Sequence, residues 1–155
     1  IKMKFNLFLL LLATLLAVAS SETFQILNSA GEQWEANKPG DPITLVEFGT
    51  LWRIVVQPGS NYEILVDADP SLALTYNGPG KKITIEKLKT PLDGSQLWKF
   101  IPKFAIGQVL AIRSVKGPGS QYAIPTKDNK FVQAGPDSKT QWTLHNLVMA
   151  RVPNS

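Results

Sequence analysis

From Thr23 onward, apolar and polar residues alternate with period two in short runs bounded by turn residues, and no stretch carries the spacing of an amphipathic helix. Twelve runs are readable as strands: 23–28, 33–37, 42–48, 51–57, 61–67, 72–77, 82–88, 96–103, 108–115, 121–126, 130–133 and 141–147. Trp52, Trp98 and Trp142 recur about every 45 residues, in Leu51-Trp52-Arg53-Ile54, Leu97-Trp98-Lys99-Phe100 and Gln141-Trp142-Thr143-Leu144. The chain is therefore an internal triplicate of four strands per unit, near 23–57, 61–103 and 108–147. One large apolar ring per unit anchors a shared core. Alternation adds Phe24, Ile26, Ile54, Ile64, Leu74, Ile83, Ile85, Phe100, Ile112 and Leu144 to it.

Pro-Gly pairs punctuate the connections at Lys38-Pro39-Gly40, Gln57-Pro58-Gly59, Gly78-Pro79-Gly80 and Gly117-Pro118-Gly119. Proline presets the first central residue of a turn and glycine accepts positive φ at the second, so each reads as a type II turn. Asn37 to Asp41 and Asn77 to Lys81 fill the same slot in repeats one and two, and Lys127-Asp128-Asn129-Lys130 fills it in repeat three. Twelve short strands in three units point to a barrel capped by hairpins, since closure removes exposed edges. An eight-stranded lipocalin-like barrel and a sandwich remain as alternatives, although neither requires threefold repetition.

The segment before Thr23 reads as a leader rather than as part of the fold. Met3-Lys4 is a basic start, Phe5 to Leu16 is almost wholly apolar, and Ala17-Val18-Ala19 is a small-x-small cleavage site. The expected division is a leader and secretory signal at 1–19 and a single domain at 20–155, secreted to the extracellular space. Loss of Lys2 and Lys4 lowers the formal net charge from +4 to about +2. The remaining charges are interspersed, which gives no footprint for nucleic acid. An exported chain without cysteine has no disulfides, so its stability rests on the apolar core. No Asn-x-Ser/Thr sequon is present.

Chemistry is sparse. A Ser-His-Asp set would have to use the single histidine, His145, and no Gly-x-Ser-x-Gly elbow accompanies it. Ligand spacings for a metal are missing. Asp67 and Asp69 flank Ala68 ahead of Pro70, where aspartate caps a turn rather than forming a glycosidase pair. The chain reads as non-enzymatic, with no cofactor and no metal.

Gln96-Leu97-Trp98 is a Gln-x-Trp signature, with Thr50-Leu51-Trp52 and Thr140-Gln141-Trp142 as weakened copies. With these motifs, the region after the leader resembles the β-trefoil of ricin B-like proteins. The resemblance implies an all-β fold, a β-trefoil of twelve strands in three pseudo-repeats, and carbohydrate as the leading ligand class. It also implies a sugar site made of an Asp after a Leu-x-Val-type strand, an aromatic platform, an Asn and the signature glutamine. Paired polar groups bind vicinal hydroxyls while an aromatic face stacks on the C–H side of the ring. Read this way, Thr75 stands at the acid position of repeat two, Asn37 in repeat one and Pro125 in repeat three, so the acid is missing and the site is degenerate. Tyr76, Asn77 and Tyr122 are then the surface-edge ligand candidates.

The same scaffold serves peptidase inhibitors, which present an extended segment on a rigid loop with little ordering entropy lost on binding. Lys116-Gly117-Pro118-Gly119-Ser120 and Gly78-Pro79-Gly80-Lys81-Lys82 each offer a lysine to a trypsin-like cleft, so Lys81 and Lys116 are inhibitory-loop candidates. An extracellular glycan or a peptidase is thus the expected partner, with no nucleic acid and no membrane once the leader is removed. Self-association as an extracellular structural protein is the third reading.

Overall fold

A computed structural model describes residues 22–146, so the leader lies outside the described residues. The strands are β1 (Thr23–Leu27), β2 (Gln33–Glu35), β3 (Thr44–Val46), β4 (Trp52–Gln57), β5 (Asn61–Val66), β6 (Asp69–Thr75), β7 (Thr84–Lys87), β8 (Trp98–Ile101), β9 (Val109–Ser114), β10 (Tyr122–Pro125), β11 (Val132–Gly135) and β12 (Trp142–Asn146). All twelve expected strands form. β6 starts earlier than the alternation suggests, because Asp69 pairs with Val66 across the turn that Asp67 and Asp69 shape. Gln96, expected in a strand, ends a 3-10 turn at Gly94–Gln96, capped by the Asp93 side chain.

Six strands close a ring. β1 pairs with β4, β4 with β5, β5 with β8, β8 with β9, β9 with β12, and β12 returns to β1, all antiparallel. The other six form the hairpins β2–β3, β6–β7 and β10–β11 over one end of that barrel. The fold is a β-trefoil. At its pseudo-threefold axis the hairpins bond head to tail: Ile43 N–H donates to Ile83 C=O, Ile83 N–H to Val132 C=O, and Val132 N–H to Ile43 C=O.

Trp52, Trp98 and Trp142 are fully buried. Each indole N–H donates to the first hairpin strand of its own repeat, at Trp34 C=O (3.4 Å), Leu74 C=O (3.0 Å) and Ala123 C=O (2.9 Å). Burying each ring contributes on the order of 4–6 kcal/mol of transfer free energy, and the bond satisfies its one polar atom. Every core residue expected from the alternation is buried, and Trp34, Ile43, Leu110 and Val132 join them. The turn slots also agree: Gly40 and Gly80 have φ of +87° and +70°, and Asn129 takes the same left-handed conformation at +57°.

Candidate functional site

The tryptophan bonds and the hairpin registers define which residues are equivalent. Trp34 faces Leu45, Leu74 faces Ile85, and Ala123 faces Ala134. One step further, the pairs are Glu35 with Thr44, Thr75 with Thr84, and Ile124 with Gln133. The acid slot of repeat one is therefore Glu35, not Asn37, and that of repeat three is Ile124, not Pro125. Asn37 is the counterpart of Asn77, two residues further along. A carboxylate does occupy the slot, in one repeat of three.

Repeat two is closed at this position. Thr75 is buried; its hydroxyl donates to Ala73 C=O and accepts from Gln96 Nε2 at 3.1 Å. Gln96 is itself fully buried, with Nε2 also donating to Lys87 C=O and Oε1 accepting from Lys89 N–H. The signature glutamine thus staples the strand-to-strand connection onto β6. Tyr76 is not at a surface edge as expected: it is 7% exposed within the core, because its ring turns inward under the Gly117 loop. Asn77 is exposed, but its Nδ2 donates to Lys82 C=O and Thr84 Oγ1 and braces its own hairpin. In repeat three Tyr122 is half-buried between Arg113 and Gly135, beside the apolar Ile124. The structure does not bring Tyr76, Asn77 and Tyr122 together as one site.

Repeat one is open. The Glu35 carboxylate is half-buried, with Asn37 Nδ2 and Thr44 Oγ1 each at 3.5 Å, so its oxygens keep acceptor capacity for a ligand. The connection to β4 folds back along β2: Gly49 N–H donates to Gln33 Oε1, and Thr50 Oγ1 accepts from Ala36 N–H while lying within reach of Ala36 C=O. That connection carries Phe48, which at 79% exposure is the most exposed large apolar side chain among the described residues. At the turn tip Asp41 accepts from the N–H groups of Lys38 and Asn37, and these backbone bonds hold its carboxyl below the usual range. Glu35, Asn37 and Thr44 therefore present a carboxylate, an amide and a hydroxyl on a fixed hairpin edge, and the connection pinned along β2 carries the exposed Phe48. The signal for Glu35 lay in the turn alignment, since it precedes Asn37 by the same two residues as Thr75 precedes Asn77.

The two candidate lysines stand on tied backbone. Lys81 C=O accepts from Ala134 N–H of the next hairpin, and its N–H donates to Gly78 C=O. Lys116 N–H and C=O both bond the Ser114 hydroxyl, and its ammonium lies 3.9 Å from Asp93. Asp93 is bonded by Ser95 and Lys89, which together depress its pKa strongly. His145 is exposed, with Nδ1 3.2 Å from Gln25 Oε1. Asp67 is paired with Arg53 at 3.0 Å, and Asp69 accepts from Ser71.

No protein-family model and no curated protein matches the chain. Solved structures do match. A mosquitocidal holotoxin superposes with TM-score 0.64 and 15% identity over 81% of this chain, which spans only 17% of the holotoxin chain. The BEL β-trefoil matches with TM-score 0.59 and 13% identity, over 81% of this chain and 92% of its own. SeviL, in a structure bound to asialo-GM1 saccharide, matches with TM-score 0.57 and 14% identity, over 81% of this chain and 97% of its own. The β-trefoil expected from the Gln-x-Trp copies is thus the fold of this chain.

Proposed function

We propose that the protein is a secreted, non-enzymatic carbohydrate-binding module with one open site, on the β2–β3 hairpin. The carrying observation is that Glu35 is the only carboxylate among three structurally equivalent hairpin positions, and that the exposed Phe48 stands on the connection pinned beside it. The Glu35 oxygens and Asn37 bind a pair of vicinal hydroxyls, and the Phe48 ring covers the apolar side of the sugar. The site is degenerate in two senses. Thr75 and Ile124 replace the acid in the other repeats, and Thr50 stands where the resemblance implies the signature glutamine. The SeviL structure, a fold relative with a bound saccharide, supports this ligand class.

A glycan array probed with the purified protein tests the reading. Binding should fall roughly tenfold or more in Glu35→Gln, where a charge-assisted bond is lost, and in Phe48→Ala, and should be unchanged in Tyr76→Phe. Glycan binding indifferent to both Glu35→Gln and Phe48→Ala would overturn it. Absence of glycan binding, with stoichiometric slowing of a trypsin-like peptidase abolished by Lys81→Ala or Lys116→Ala, would favour the inhibitor reading instead. Secretion is checked by the N-terminal sequence of the exported product, expected to start near Ser20.

A further inference from the structure

The barrel end remote from the hairpins is built from the β4–β5 turn, the β8–β9 loop and the neighbouring ends of β1 and β12. Its described residues are largely apolar. Tyr62 and Phe104 stack at 5.6 Å, and Phe104 meets Phe24 and Phe100 edge to face at 5.7 and 5.5 Å. A cleft of about 310 Å³ on one side of this stack is walled by Lys99, Pro102 and Lys103, and one of about 340 Å³ on the other by Ile54, Val56 and Ile106. Val56 is 70% exposed, Ile106 42% and Val109 55%. Scattered exposed apolar residues are ordinary, but a cluster across adjacent hairpin tips marks an interaction surface.

The charges around this surface say what it meets. Among the described residues that line the two clefts, Lys99 and Lys103 stand against one carboxylate, Glu22, which is engaged with Asn146 Nδ2. The Lys99 ammonium reaches Gly59 C=O at 3.1 Å and so is held at the rim, and Lys103 is exposed. Against the expectation of no membrane partner once the leader is removed, we propose that this end of the barrel docks on an anionic lipid bilayer. Val56, Ile106 and Val109 enter the headgroup region, which accepts projecting apolar side chains without a shaped counterpart. The two ammonium groups sit at the level of the lipid phosphates and carboxylates. The aromatic cluster beneath keeps both hairpin tips rigid, so little ordering is lost on contact.

The chain contains no cysteine, so single substitutions Ile106→Cys, Val109→Cys and, at the hairpin end, Phe48→Cys each carry one environment-sensitive fluorophore. Mixed with phosphatidylcholine vesicles containing phosphatidylserine, the labels at 106 and 109 should shift to the blue and the label at 48 should not. Phosphatidylcholine vesicles alone should give a much smaller response. Adding Lys99→Gln and Lys103→Gln should weaken the response to anionic vesicles roughly thirtyfold, and Val56→Glu should reduce it on both vesicle types. No shift at 106 or 109 on anionic vesicles overturns the proposal. Equal shifts at all three positions overturn it too, because contact would then arise elsewhere, for example through the apolar segment 5–16. A blue shift that grows with protein concentration without vesicles, matched by a dimer in sedimentation that Val56→Glu abolishes, assigns the surface to a second copy of the chain instead.

Discussion

Trp34 meets Trp142 edge to face, with ring centroids 5.0 Å apart and planes at 80°. The two rings belong to repeats one and three. The contact exists because Trp34, Leu74 and Ala123 are equivalent positions of very unequal volume: the smallest leaves a space beside Trp142 that the largest fills. Trp34 also lies edge to face with Trp52 at 6.3 Å. The threefold core is therefore packed asymmetrically, with one indole compensating for an alanine in another repeat.

Trp34→Ala should cost about 3–5 kcal/mol, because neither neighbouring ring can collapse into the space it leaves. Chemical denaturation measures it. Trp34→Leu should recover part of the loss, and more so when combined with Ala123→Leu, which refills the core from the other side.

Tyr76 and Gly117 form a second pair with an exact steric demand. The buried Tyr76 hydroxyl has no hydrogen-bond partner among the described residues, and a Cβ on Gly117, whose φ is +126°, would stand 2.6 Å from it. Tyr76→Phe should be neutral or stabilising by up to about 1 kcal/mol. Gly117→Ala should destabilise by roughly 2 kcal/mol or more from strain and overlap together, and Tyr76→Phe should partly rescue it. A double-mutant cycle of unfolding free energies reads the coupling.

Gln96 acts on stability rather than on ligand. Gln96→Ala removes bonds to Thr75, Lys87 and Lys89 inside the fold and should cost roughly 2–4 kcal/mol. Glycan binding per folded molecule should be unchanged. Loss of binding in well-folded protein would show that the signature glutamine reaches the ligand after all.

Glu63 supplies a pH dependence. It is buried on β5, and burial raises its pKa above the ordinary 4.5 against the opposing effect of its bond from Gln57. A carboxyl with a raised folded pKa binds more protons in the native than in the unfolded state, so its contribution to stability is present below 4.5 and is lost as pH rises through the raised value. Glu63→Gln should be more stable than the parent at neutral pH and should show a flatter stability profile across that window. Urea midpoints measured from pH 4 to 8 would check both.

The fold was legible because its signals are local and repeated. Alternation placed all twelve strands, the tryptophan period gave the repeats, and Pro-Gly gave the turns. Trp34 carries no such signal, because its counterparts are Leu74 and Ala123, and no period reveals a residue that appears once. The site was harder to read. Tyr76 looks like an accessible aromatic at a strand end, and only the three-dimensional return of the Gly117 loop buries it. Glu35 was readable from the turn alignment, but a motif-based reading starts from the best Gln-x-Trp copy, in repeat two, which is the repeat whose glutamine has been turned to internal use.

The bonds among Ile43, Ile83 and Val132 form a circuit with no first or last member. Displacing any one hairpin breaks two of the three bonds, because each hairpin both gives and receives, and the third is left holding two units that no longer have a common centre. An open stack of repeats frays from its ends one unit at a time. Here there is no end from which to fray, so the cap opens as a whole, and a ligand that grips one hairpin acts on the stability of all three.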